Sequence, residues 1–135
     1  MQSKLLFSFW LCLFVSAVNV AQNMQEGFDY LETGDYIRAK SFFTNILKQY
    51  PENKTARLCY GRSLGLLGDT QQAILVFTAL KKTYPNDYEV KLNYAETLLW
   101  DQQYGKAETY YQKLIEENAT SFSAVLGYAN TLSNL

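Results

Sequence analysis

Histidine is absent from the 135-residue sequence. Its absence excludes Ser-His-Asp triads, histidine metal sites and a histidine pH switch. An excess of charge of one sign is also missing, because 12 basic and 13 acidic residues give a net charge of −1. The sequence has no block of basic residues that would attract a nucleic acid, so we exclude nucleic acid as a partner.

Cysteine is scarce, with Cys12 and Cys59 as the two copies. No cysteine pair suits a metal, and no glycine-rich loop suits a phosphate. We interpret Glu116-Glu117 as the charged end of a helix, because no partner group makes it a catalytic pair. Apolar residues make up 48% of the chain, enough to build one buried core. The sequence therefore predicts one folded domain that is not an enzyme and binds neither metal nor cofactor.

The N-terminal segment 1–21 differs in composition from the rest of the chain. Lys4 is its one charge, and residues 5–18 are apolar apart from two serines. A basic start, a short apolar run and small residues at its end predict a secretory signal peptide over 1–21. Cleavage follows Ala21 or, alternatively, Ala17. The other interpretation is a retained anchor or a buried helix.

Removal of this segment leaves a charge of 11 − 13 = −2 and leaves Cys59 as the one cysteine. A lone cysteine cannot form an internal disulfide, and free cysteine is usually a small core residue. We expect the remaining chain to be exported, either to a periplasm or out of the cell.

The sequence repeats itself without gaps over 21–135, at the offset that places Ala39 on Ala73 and Ala73 on Ala107. Five columns of matching residues carry the repeat. The columns are Ala39, Ala73 and Ala107; Phe43, Phe77 and Tyr111; Gly27, Gly61, Ala95 and Ala129; Tyr30, Leu64, Leu98 and Leu132; and Tyr60, Tyr94 and Tyr128. The offset predicts units over about 20–53, 54–87 and 88–121, with a partial unit over 122–135, in one domain of 22–135.

Each unit has the pattern of two amphipathic helices. Gly34-Asp35 and Gly68-Asp69 separate them, because glycine accepts a left-handed helix end and the aspartate can cap the next helix. Pro51 and Pro85 follow the second helices, which proline cannot continue. We expect the small residues to lie at the crossing of the two helices, with the alanines facing the glycines. We expect the aromatic residue to fill the seam to the next unit.

These columns resemble the tetratricopeptide repeat (TPR), whose signature of small residue, aromatic, Ala-x-x-x-Phe and Pro they match in order. The resemblance implies an all-α solenoid of helical hairpins, with about three and a half repeats in a right-handed superhelix. Unit three departs from the pattern at Gln102-Gln103, where the other units have Gly-Asp, and at Ala119, where they have Pro. These departures concern the turn geometry of unit three and leave its place in the repeat unchanged.

The resemblance further implies that the first helix of each unit lines a concave groove. The groove residues that it implies are Met24, Phe28, Leu31, Leu58, Arg62, Leu66, Leu92, Glu96, Leu99, Trp100, Leu126 and Asn130. Trp100 and Arg62 are the strongest single candidates, because aromatic and Arg anchors dominate such interfaces. The alternative is that the leucines and Trp100 pack between units and that Arg62 and Glu96 are surface charges.

An apolar groove of this kind suits a protein or peptide partner. The carboxylate-clamping TPR class carries Lys, Asn and Arg at groove positions that here hold Met24, Phe28, Cys59, Glu89 and Asn93. Of these, Asn93 alone is polar and uncharged, and Glu89 would repel a carboxylate, so we reject that class. We therefore predict a binding scaffold, with membrane contact only through a partner or a retained signal segment. The stretch from Leu98 to Ala107 is similar to TPR units that precede outer-membrane β-barrels, so a periplasmic arm of a polysaccharide-export system is the alternative function.

The segment from Thr120 to Leu135 carries no charge. A helical array needs a polar terminal helix to shield its last apolar seam. We therefore expect the chain to belong to a longer repeat protein or to dock this end on a partner.

Overall fold

The computed structural model describes residues 24–135, so the predicted signal segment 1–21 lies outside the described part. Within 24–135 the fold is all-α, as expected, and contains no strand. The helices are α1 (helical over 24–32), α2 (Tyr36–Gln49), α3 (Lys54–Leu66), α4 (Thr70–Thr83), α5 (Tyr88–Trp100), α6 (Tyr104–Glu117) and α7 (Phe122–Leu132). They pair as α1–α2, α3–α4 and α5–α6, with α7 as the first helix of a fourth unit.

Side-chain caps begin the first helix of three successive units. Asn53, Asp87 and Ser121 occupy the same position of the repeat, and each accepts a hydrogen bond from the backbone N–H three residues later, at 2.9–3.4 Å. Each cap satisfies one of the free N–H groups at a helix start. The repeat therefore fixes helix starts as well as helix faces.

The predicted aspartate caps of the second helices are confirmed at one position of two. Asp35 accepts from the Arg38 N–H at 3.1 Å, whereas Asp69 makes no side-chain cap bond, so that prediction is wrong. The turn at Asp69 is held differently, because the Thr70 hydroxyl donates to Asp101 of the next unit at 2.5 Å.

The turns inside the units share one backbone geometry. Gly34 and Gly68 have φ of 80° and 84°, where glycine bears no side-chain strain. Gln102 takes the equivalent place with φ 60°. The loss of glycine in unit three therefore leaves the turn in the left-handed region, at some cost in strain.

The aromatic column fills the seams between units, as predicted. Phe43, Phe77 and Tyr111 are fully buried, and Phe43 packs in one cluster with Ala56 and Cys59 of the next unit. The expected proximity of the small residues agrees with unit three, where Ala95 and Ala107 lie in one core cluster. In unit two the glycine also makes room for an aromatic ring, because a Cβ added at Gly61 would come within 2.8 Å of the Phe77 ring.

A column of hydroxyl residues also lies in the seams, and the sequence analysis did not identify it. Ser63, Thr97 and Thr131 are fully buried and occupy the same position of successive units. Each donates to the carbonyl four residues earlier on its own helix, at 2.8 Å. Because their hydroxyls are bonded within the helix, these polar residues can be buried without an unpaired donor.

The array curves toward its first helices. Helix α3 contacts α5, and α5 contacts α7, whereas in the described part of the chain α2, α4 and α6 make no such direct contact with one another. First helices therefore lie closer together across unit boundaries than second helices do. The face formed by the first helices is the concave one, as the repeat pattern implies.

Candidate ligand groove

The concave face brings the predicted groove residues onto adjacent helices, with different degrees of exposure. Phe28 and Leu31 are half-buried on α1 and pack against the first core cluster. Leu58 is 3% exposed and lies in the second cluster beside Phe77. It therefore belongs to the core and offers no surface to a ligand; Met24, which is also buried, likewise belongs to the core.

The middle of the groove is lined by α3 and α5. Arg62 is exposed and Leu66 is half-buried on α3, and Leu92 and Leu99 are half-buried on α5. Both α5 leucines pack against the third core cluster while retaining some exposed surface. Farther along, α7 adds Leu126 and Asn130, which are both exposed.

Trp100 closes the seam between α3 and α5. A Cβ built on Gly65 would lie 2.3 Å from Cε3 of its indole, so the ring occupies the space above that glycine. The glycine is required there because no side chain fits beneath the ring. Trp100 remains half-buried rather than buried, so it packs the seam and keeps part of its surface exposed.

Two opposite charges, Arg62 and Glu96, occupy the same repeat position on the adjacent helices α3 and α5 without forming an ion pair. Glu96 is half-buried, and its burial raises the pKa of its carboxyl, while the positive charge of Arg62 acts in the opposite direction. Four salt bridges occur within residues 24–135, and none of them includes Glu96 or Arg62. The carboxylate is therefore desolvated without a close cation.

Two further polar groups in this region were not among the predicted ligand-groove residues. Asn93 is 4% exposed, and its Oδ1 has no hydrogen-bond partner in the described chain; the hydroxyl of the fully buried Tyr111 has none either. Burial, followed by the negative charge of Glu96, raises the pKa of Tyr111. The Asn93 column also holds Gln25, Cys59 and Gly127, so the repeat pattern alone does not single out Asn93.

Cys59 forms the other side of this region, on α3. Burial raises the pKa of its thiol to about 11. The positive charge of Arg62 lowers this pKa to a smaller extent, and the negative charge of Glu89 raises it. A thiol with so high a pKa is protonated at neutral pH and is a poor nucleophile. This agrees with the core interpretation of Cys59.

Neither a metal centre nor a membrane-spanning helix is found in the part of the chain that the structure describes. Between 24 and 135, no three His, Cys, Asp or Glu side chains are grouped so that they could hold a metal ion. Among the helices described, none is both long enough and apolar enough to cross a membrane.

Comparison with known families agrees with this geometry. Two models described as tetratricopeptide repeat match residues 24–88 and 66–127, so together they span most of the chain. The chain belongs to the tetratricopeptide-repeat family, and its repeats are those of a protein-interaction scaffold. No curated protein sequence gives a significant match.

Solved structures share the fold at low identity. The TPR domain of P58(IPK) superposes with a TM-score of 0.74 at 15% identity over 86% of this chain, which spans only 33% of that one. The first TPR domain of human RPAP3 gives 0.71 at 14%, over 83% of this chain and 88% of that chain. The TPR2B domain of yeast Sti1, solved as a complex with pHsp70, gives 0.69 at 17%, over 85% and 97%. At these identities the likeness concerns the fold alone.

Proposed function

We propose that this chain is a non-catalytic scaffold of an exported compartment, and that it binds a protein or peptide segment in the groove of α1, α3, α5 and α7. The observation that carries the proposal is the half-buried apolar surface of Phe28, Leu92, Leu99 and Trp100 on the concave face. Apolar side chains left partly exposed in a groove can anchor a peptide, and one aromatic anchor among them suits a binding hot spot. The Sti1 domain with a similar fold was solved with a bound partner.

A matched pair of charge reversals tests the use of the groove. Random short peptides are selected on the chain, and their affinities are measured by fluorescence anisotropy. We expect Arg62→Glu, on the exposed groove side of α3, to change the affinity of the selected peptides. Lys82→Glu makes the same charge change on an exposed position of α4, outside the groove, and should leave it unchanged. If both variants changed the affinity equally, or if neither changed it, the peptides would not be binding in the groove.

The exported location is supported by Lys4 and the apolar run over 5–18, which have the composition of a cleaved signal segment. We expect the chain isolated from its source to begin at Gln22 or at Val18. N-terminal sequencing measures this directly, and a chain that still begins at Met1 would contradict a cleaved signal.

The outward face of α7 supports a role within a longer protein or an assembly. Leu132 is 46% exposed, whereas Leu64 and Leu98, in the same column of the repeat, are at most 2% exposed. Phe122, at the start of the same helix, is 78% exposed. A contiguous apolar face of this kind marks an interaction surface. We propose that a further helix covers it in the functional protein.

A further inference from the structure

Helix α5 presents more hydrogen-bond acceptors to the groove than the protein supplies donors. Glu89, Asn93 and Glu96 stand at spacings of four and three residues, so they lie along one side of the helix. The Asn93 Nδ2 donates to the backbone carbonyl of Glu89 at 2.8 Å, which leaves Oδ1 as the free end of the amide. That oxygen is buried and accepts no hydrogen bond within the described residues.

Glu96 adds a carboxylate that also receives no hydrogen bond within the described residues, although its oxygens, unlike Asn93 Oδ1, are not fully buried. Among residues 24–135 it takes part in no salt bridge, although it is half-buried. Arg62 acts on its pKa from α3 without coming within salt-bridge distance, and the hydroxyl of Tyr111 on α6 lies within the reach of its charge. Buried acceptors without donors are unfavourable, so an arrangement of this kind is expected where a ligand brings the donors.

The fold does not require these polar groups. The column of Asn93 holds Gln25, Cys59 and Gly127 in the other units, and the column of Glu96 holds Phe28, Arg62 and Asn130. All of these units adopt the same helix, so neither an amide nor a carboxylate is needed to build it. The polar pair is specific to the unit in the middle of the groove.

We propose that Asn93 and Glu96 receive a basic side chain, Lys or Arg, from a peptide segment whose apolar residues lie along the groove. This rests on the proposed function. Ammonium and guanidinium groups are donors only, and one such group can bond both the free amide oxygen and the carboxylate. Glu89 and Glu96 together outweigh Arg62, so this part of the groove favours a cation over an anion. Leu92 and Leu99, one turn to either side, provide apolar contact for the flanking residues.

The test uses peptides selected at random on the full chain. We expect the enriched sequences to contain a Lys or Arg among apolar residues. Replacing that residue in a synthetic peptide by norleucine, which keeps the length and removes the charge, should weaken binding to the wild type about tenfold or more. When the protein is the Glu96→Gln variant, the norleucine substitution in the peptide should reduce the affinity much less, because the variant no longer has the charged acceptor. Glu116→Gln, on an exposed position at the end of α6, is the control and should behave as wild type.

Thermal unfolding separates a binding role from a structural one. If Glu96 serves the ligand, Glu96→Gln should melt at or above the wild-type temperature while binding the basic peptide more weakly. Asn93→Leu, of similar size, should show the same combination. A loss of stability in both variants would indicate a structural role and overturn the proposal, as would enriched peptides that lack a basic residue. Failure to enrich any peptide would instead refute the proposed function of the groove.

Discussion

Replacing Gly127 by alanine should weaken the junction between α6 and α7. A Cβ at this position would lie 2.3 Å from Cζ and 2.5 Å from the hydroxyl oxygen of Tyr111. Carbon atoms do not approach so closely, so the tyrosine ring or α7 must move. Tyr111 is fully buried and cannot swing into solvent. The adjustment therefore has to come from a displacement of the whole helix.

The expected magnitude follows from two opposing effects. Overpacking a close contact destabilises by about 1–3 kcal/mol. Alanine gains up to about 1 kcal/mol over glycine within a helix. Because this contact is close and the ring is enclosed, we expect a net loss of about 1–2 kcal/mol. In a domain of this size, that corresponds to a melting temperature lower by roughly 5–10 °C.

Gly105→Ala is the matched control. Gly105 lies in α6 and is exposed, and a Cβ there would meet nothing within 4 Å. We expect this variant to gain about 0.5 kcal/mol from reduced chain entropy. Both variants are measured by urea and thermal unfolding, followed by circular dichroism. A Gly127→Ala protein as stable as the wild type would refute the reasoning. Tyr111→Phe should not rescue it, because ring carbon Cε1 would still lie 2.4 Å away.

Three further outcomes are expected. The Cys59 thiol, with its pKa raised to about 11, should react slowly with iodoacetamide in the folded protein and rapidly in guanidinium; equal rates would contradict its burial. Burial raises the pKa of Glu96, so ionisation of its carboxyl destabilises the folded state. This loss of stability is absent below about pH 4, where the carboxyl is protonated in both states, and it is complete above the pKa of the folded state. Glu96→Gln should therefore raise the melting temperature at pH 7 but not in acid, and a gain that persists in acid would disprove this cause. Phe122→Ser with Leu132→Ser should reduce self-association in sedimentation experiments, and a wild type that stays monomeric at every concentration would show that the α7 face is not adhesive.

The repeat columns predicted the core well, because burial at a seam recurs in every unit. Ala39, Ala73 and Ala107 are fully buried, as are the three aromatic residues that follow them by four positions. The turn of unit three kept its geometry although Gln102 replaces glycine, which the sequence alone left uncertain. The same backbone hydrogen bonds hold the turn with and without glycine: the Gln102 N–H donates to the Leu99 carbonyl at 3.0 Å, as the Gly68 N–H donates to the Gly65 carbonyl at 3.0 Å. Residue types alone do not show that these bonds survive the loss of glycine.

The candidate groove was less predictable, because exposure depends on what the next unit covers. Leu58, Leu92 and Leu126 occupy one column of the repeat but differ in exposure. Leu58 is buried, Leu92 is half-buried, and Leu126 is 47% exposed. Leu58 has complete units on both sides, whereas Leu126 lies on the last helix described. Sequence periodicity assigns all three to the same face and cannot rank them. The missing hydrogen bonds of Asn93 and Tyr111 depend on three-dimensional packing and have no sequence signal of their own.

Comparing the seams within this one chain shows how their chemistry is matched. The first seam packs Phe43 against Cys59, a ring against a small apolar side chain. The last seam packs Tyr111 against Gly127, where the added hydroxyl occupies the place of the missing side chain. In each of these seams the larger ring packs against the smaller partner, so the combined volume of the two side chains changes little. A packed interior tolerates substitutions of this volume-conserving kind best. The asparagine in the corresponding place of the second seam brings an acceptor that no group in the described residues satisfies. The unpaired Asn93 Oδ1 and the half-buried carboxylate of Glu96 thus both lie on α5, between α3 and α7, so a ligand that brings hydrogen-bond donors would meet both on one helix.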